Sequence, residues 1–148
     1  MASTNALLNI VVLATTFTAA TTWAEGVEPE TLVIHAVGFS HDRGQAIASL
    51  FYHGEDIFKP PRARVAAVVQ HGQALLRFPN VVPGDYAVMV FHDENGNGDL
   101  DHNFLRLPAE PLGYSNRFEL TLFSGLPSFD KLRFAFDTGA SPVEIHVK

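Results

Sequence analysis

DYAVMVFH, residues 85–92, decides how the rest of the chain is read. It follows Pro83-Gly84, a pair in which proline sets φ at the second position of a tight turn and glycine supplies a positive φ at the third. In an extended segment successive side chains point to opposite faces. Tyr86, Val88 and Val90 share one face here, and Ala87, Met89 and Phe91 share the other. Both faces are apolar, which predicts a central strand covered on both sides.

Working outward toward the N-terminus, residues 73–78 (QALLRF) read as a strand entered by a tight turn at His71-Gly72. Residues 64–70 (RVAAVVQ) fit strand or helix by pattern, and their valines favour strand. Gly54, Pro60 and Pro61 mark a loop over 54–62, and residues 45–53 (QAIASLFYH) and 31–37 (TLVIHAV) read as strands around a polar turn at 38–44. Toward the C-terminus, residues 93–128 are rich in Gly, Asn, Asp and Pro and predict a long acidic loop, with a short strand at 118–123. Residues 131–136 alternate with Leu132, Phe134 and Phe136 inward. Residues 143–147 alternate with Glu144 and His146 outward. About seven short strands with regular turn signals and no helical periodicity predict an all-β antiparallel sandwich, Ig-like in its layering. Tyr86, just past the turn, suits either a tyrosine-corner hydrogen bond or plain core packing.

The chain has 148 residues, 47% hydrophobic and 18% charged, which fits one globular domain. It has no cysteine, so disulfides, thiolate metal sites and a lipoprotein anchor are excluded. Its net charge is −6, and Lys59, Arg62 and Arg64 form the only basic cluster. A nucleic-acid footprint needs more than that, so no nucleic-acid partner is expected. Residues 1–24 contain no Asp, Glu, Lys or Arg and end in Thr22-Trp23-Ala24, a small-x-small site. They read as a signal peptide, with a buried N-terminal helix as the other reading. The expected mature domain is then 25–148, periplasmic or secreted, with no membrane span.

The segment carrying chemistry is DENGNGDLD, residues 93–101. Side-chain oxygens recur at every second position: Asp93, Asn95, Asn97, Asp99 and Asp101. Calcium takes six to eight oxygens in a compact loop, and an EF-hand loop places ligands at positions 1, 3, 5, 7 and 9 with glycine at 6. Counted from Asp93, Gly98 takes position 6, but position 12 is Phe104 rather than the bidentate Glu. A ligand must come from elsewhere, and Glu110 and Glu94 are the candidates. With two or three carboxylates, binding near 10⁻⁴–10⁻³ M is expected, as in extracellular modules. The plainer reading is a solvated Asx-rich turn without an ion.

Seven histidines occur: His35, His41, His53, His71, His92, His102 and His146. None forms a helical H-x-x-x-H pair, and no G-x-S-x-G elbow occurs. Histidines scattered over the surface and strand ends are the simpler account. His92 and His102 flank the acidic loop and carry the rival one, a transition-metal-dependent hydrolase or oxidase that also uses loop carboxylates. An apolar sandwich enclosing a carried ligand is a third reading. Phe123, Leu126, Phe129 and Tyr114 either form a binding surface or cover the core edge.

The run from Pro83 to Asp101, with Asn103-Phe104-Leu105, Pro108-Ala109-Glu110, Gly113-Tyr114-Ser115-Asn116 and Pro127-Ser128-Phe129-Asp130, resembles a family of bacterial exported proteins, the domain of unknown function 2141. Arg106 stands where that family's pattern has glycine, and Phe123-Ser124-Gly125-Leu126 replaces a Gly-Pro-Pro-like approach. The resemblance implies an exported sandwich, similar to the prealbumin-like or carboxypeptidase-regulatory-like ones, and no activity. The expected function is therefore non-enzymatic. It is binding or structural in the cell envelope, with calcium ordering the loop and a carbohydrate or envelope protein as partner.

Overall fold

The computed structural model describes residues 29–105, 107–121 and 123–148. The expected signal peptide lies outside them. Eight strands follow in order: β1 Glu30–Val37, β2 Gln45–Tyr52, β3 Ala63–Val68, β4 Gln73–Val81, β5 Gly84–Asp93, β6 Leu112–Tyr114, β7 Phe134–Phe136 and β8 Val143–His146. One helical turn, α1 at Phe129–Leu132, precedes β7. The fold is thus almost wholly β, as the alternating patterns predict.

The strands form two sheets, one ordered β4-β1-β8 and the other β3-β2-β5-β6, with β7 also on β5. β2 runs along one side of β5 over its whole length, from Gln45↔Asp93 to Tyr52↔Tyr86. The other side is shared: β7 pairs with the start of β5 and β6 with Met89, Val90 and Phe91. β5 is therefore internal to its sheet, as its sequence predicts.

Its two faces meet two different clusters. Tyr86, Val88 and Val90 join Leu32, Ile34, Leu76, Phe78 and Ile145 in the core shared by both sheets. These side chains fill the space between the sheets that a carried ligand would need. On the opposite face Ala87 and Met89 pack with Phe51, Ile57, Tyr114, Phe129 and Leu132. The second cluster explains why β2 is buried at every position from Ala46 to Phe51. Tyr114 and Phe129 thus cover the core, whereas Phe123 and Leu126 are exposed.

Several expectations need correction. β8 pairs with β1 in parallel, Ile34↔Val143 to Val37↔His146, so the sheets are not wholly antiparallel. Alternation reports which face is buried and carries no information on strand direction. Among the described residues of the expected 118–123 strand, 118–121 and 123 form no strand. The pairing there is made by β6, which divides the expected long loop in two. Residues 131–136 are not one strand either. Leu132 ends α1 and enters the outer cluster, and Arg133 turns the chain before β7. Gly84 takes no positive φ and starts β5; the left-handed residue near this corner is Asn80, at φ 58°.

The corner is held by Tyr86. Its side chain is buried and its hydroxyl donates to the Val82 carbonyl at 2.6 Å. Both readings of this residue, corner hydrogen bond and core packing, hold together. Burial also pushes its phenol above the usual tyrosine range, with the neighbouring Tyr52 adding to the effect. At the far edge Leu112 and Lys148 exchange two backbone hydrogen bonds of 3.0 Å, which joins β6 to the end of β8 and so links the two sheets. Gly113 permits this approach, because a Cβ there would stand 2.5 Å from the His146 carbonyl oxygen.

Candidate functional site

The acidic loop leaves the end of β5, and Asp93 is its organising residue. Its side chain is wholly buried. Oδ1 accepts from the backbone N–H groups of Gly96 at 2.8 Å and Asn97 at 3.1 Å. Oδ2 accepts from Gly98 N–H at 2.9 Å and from Gln45 Nε2 at 2.8 Å. A carboxylate offers about four lone-pair directions, and all of Asp93's are engaged. Burial opposes its ionisation, but the hydrogen bonds from Gln45, Gly98, Gly96 and Asn97 outweigh it and hold the carboxyl below its usual range.

The next oxygens repeat the pattern one step on. Asn95 Oδ1 accepts from Asn97 N–H at 2.9 Å, and Asn97 Oδ1 from Asp99 N–H at 2.8 Å. Each is an Asx turn closed by a side chain two residues back. Gly96 and Gly98 take φ of 76° and 83°, the left-handed turns the loop needs. The amide nitrogens of Asn95 and Asn97 both reach Asp101, at 2.6 and 3.1 Å. Asn95, Asn97 and Asp101 therefore converge on one point.

Glu110 spans the two ends of the loop. Oε1 accepts from Glu94 N–H at 3.0 Å and Oε2 from Asp101 N–H at 3.2 Å. Asp99 points away, toward β3, where Arg64 Nη1 stands 3.6 Å from its carboxylate and donates to the Gly98 carbonyl at 3.0 Å. Of the six expected ligand residues, Asn95, Asn97 and Asp101 come together. Glu110 adjoins them through the backbone, Asp93 supports the loop from beneath, and Asp99 is directed outward.

The histidine His102 is exposed, in an isolated bridge with Pro108. It does not join His92. His41 does, from the turn between β1 and β2. That turn is docked by Asp42, whose carboxylate accepts from the backbone N–H groups of Gly72 at 2.9 Å and His71 at 2.8 Å and is held below its usual range by them. Among the described residues His41, His92 and Glu94 form a group of three whose donor atoms lie within 4.8 Å of one another. No local spacing in the sequence signals His41, because long-range strand pairing brings it to the end of β5.

A groove of about 1080 Å³ runs beside β6 and β8. Tyr114, Arg117, Phe118, Glu119, His146 and Lys148 are among the residues that line it. Phe118 packs edge-on against Tyr114 with ring centroids 5.5 Å apart, so the groove has both an aromatic wall and charged groups.

Two sheets around a shared core and an Asx-built acidic loop at a strand exit define the class, an all-β protein with a polar loop site. The family described as an uncharacterized protein conserved in bacteria (DUF2141) matches residues 34–144. The chain belongs to that family. No curated protein and no solved structure matches it.

Proposed function

We propose that this protein is exported to the periplasm or beyond and acts there as a non-catalytic binding or structural protein whose acidic loop is latched by calcium. The carrying observation is the convergence of Asn95 and Asn97 on Asp101. These residues fill positions 3, 5 and 9 of the EF-like count. Each asparagine oxygen spends one lone pair on a loop N–H and keeps a second. Each Glu110 oxygen does likewise. An ion seated among them replaces two amide hydrogen bonds to Asp101 with metal–oxygen bonds, after a rotation of the amide groups. The two sheets around a shared core suit a prealbumin-like or carboxypeptidase-regulatory-like sandwich, and the uncharged apolar segment at residues 6–20 suits a leader.

The latch has a consequence for the groove. Glu110 lines it as well as spanning the loop ends, so loop ordering reaches the groove wall. Aromatic faces beside charged groups suit a carbohydrate or an envelope protein segment as ligand.

The test is a heat melt with calcium and with chelator. At 10 mM Ca²⁺ and a Kd of 10⁻⁴–10⁻³ M, binding stabilises the fold by about 1.4–2.7 kcal/mol. For a domain of this size that raises Tm by roughly 5–10 °C. Asp101→Asn abolishes most of the rise. An identical melting curve with and without millimolar calcium refutes the latch.

A further inference from the structure

His92 is the penultimate residue of β5, and its side chain is completely buried. Its Nε2 stands 2.7 Å from the carbonyl oxygen of Arg43. A carbonyl only accepts, so Nε2 carries the proton and donates it. In the neutral ring Nδ1 is then a bare lone pair. That atom is buried and has no hydrogen-bond partner. A buried polar atom left unpaired costs about 1–3 kcal/mol, so native structures leave few.

The neighbour of this lone pair is Glu94 Oε1, at 3.7 Å. The same oxygen is 3.1 Å from His41 Nε2. The two imidazole rings lie with centroids 4.8 Å apart. An unprotonated nitrogen and a carboxylate oxygen repel unless a cation stands between them. We infer that His41, His92 and Glu94 form a binding site for a first-row divalent transition ion of the zinc type.

Three arguments carry the assignment. The first is donor chemistry. Two imidazole nitrogens and one carboxylate suit zinc, copper or nickel, whereas calcium prefers oxygen alone. The second is spacing. Donors about 2.0–2.2 Å from a tetrahedral ion lie roughly 3.3–3.6 Å apart, and the two donor pairs involving Glu94 bracket that range. Closure of the set asks only for small side-chain rotations of His41 and Glu94, which are both partly exposed. The third is orientation. A metal-bound histidine ordinarily donates its other ring N–H to a carbonyl or carboxylate, which fixes the tautomer. Arg43 does this for His92, and Phe39 packs edge-on against the ring at 5.0 Å and 85°.

The site differs from the calcium latch in its residues but touches it. Glu94 is the residue after Asp93, and its backbone N–H is held by Glu110. With three protein ligands on a partly exposed rim, the fourth position of the ion faces solvent and is open to water or an anionic ligand.

The experiment titrates metal-stripped full-length protein with Zn²⁺ by calorimetry, and with Co²⁺ by visible absorption. One equivalent of zinc binds, and Co²⁺ develops the absorption bands of a four-coordinate centre with nitrogen ligands. His41→Ala and Glu94→Gln each weaken zinc binding by at least about 10–100-fold, the scale of losses at metal-site partners. Both positions lie outside the core, so these variants test ligation rather than folding. Asp101→Asn, outside the three ligands, leaves zinc affinity unchanged while removing the calcium response, which separates the two sites. Failure of the wild-type protein to bind a stoichiometric transition ion overturns the inference, as does a zinc affinity in His41→Ala and Glu94→Gln equal to that of the wild type.

Discussion

Gly44 and Gly96 offer a controlled comparison, because both have φ of 76°. A Cβ on Gly96 would meet nothing within 4 Å. A Cβ on Gly44 would lie 2.1 Å from the Asp93 carbonyl oxygen, 2.8 Å from Glu94 Cα and 3.0 Å from the Asp93 carbonyl carbon. The left-handed backbone costs an alanine about 1–2 kcal/mol. Stiffening of the unfolded chain returns about 0.4–1 kcal/mol. Gly96→Ala should therefore lose about 1 kcal/mol. Gly44→Ala adds the crowding of backbone atoms, which cannot swing aside as a side-chain tip does, for a further 1–3 kcal/mol or so. Its total is about 3 kcal/mol. At about 4 °C per kcal/mol for a domain of this size, Tm falls by roughly 12 °C in one variant and 4 °C in the other. Urea unfolding at equilibrium measures both losses, with an unchanged m-value showing that the same surface unfolds. Equal losses in the two variants would refute the close approach of the turn to the end of β5. The placement of His41 and of the Arg43 carbonyl rests on that approach.

Asp93→Asn replaces a carboxylate that accepts four hydrogen bonds with an amide that presents N–H groups to some of the same donors, and it should cost about 3 kcal/mol at neutral pH. Since the folded carboxyl titrates below its ordinary value, the stabilisation from Asp93 is present above about pH 3.9 and is lost as pH falls through the folded value. The variant's stability should accordingly fall less steeply with acid, as unfolding curves across that range will show. Tyr86→Phe removes the hydrogen bond to Val82 and should lose about 1 kcal/mol in urea. Because burial raises this phenol, its contribution is full below about pH 10 and lost as pH climbs through the folded value, so the variant should also have a shallower alkaline limb. Ser115 Oγ accepts from Val88 N–H at 2.9 Å and donates to the Leu132 carbonyl at 2.6 Å, all in buried surroundings. Ser115→Ala strands both groups and should cost roughly 3 kcal/mol, while a loss under about 1 kcal/mol would show that neither depends on the hydroxyl.

What the sequence makes legible is local. β5 is readable because two apolar faces within ten residues admit few other placements, and the acidic loop because its Asx turns close over two to five residues. Glu110 is reachable from composition as an acid near the loop, and the structure places it across the loop ends. β6 escapes notice because three residues, Leu112 to Tyr114, carry no periodicity. The break at Arg133 escapes because Leu132, Phe134 and Phe136 alternate whether they face one cluster or two. His41 is the clearest case. Its partners are set by the pairing of Gln45 with Asp93 and by the hold of Asp42 on the β3–β4 turn. Neither is written in the residues next to it.

The parallel union of β1 with β8 also bears on how the chain acquires its shape. β1 is the middle strand of its sheet, with β4 on one side and β8 on the other. Made from the N-terminus, β1 and β4 meet early, but the other flank of β1 waits for a strand from the opposite end of the domain. Until β8 arrives, the Ile34–Val37 row presents free N–H and C=O groups, a template for pairing with another molecule. Contacts this distant along the chain make folding slow, in the millisecond-to-second class. Newly synthesised copies are therefore most prone to stick to one another before β8 has been made and docked, and dilution or a holding chaperone should raise the yield of refolded protein.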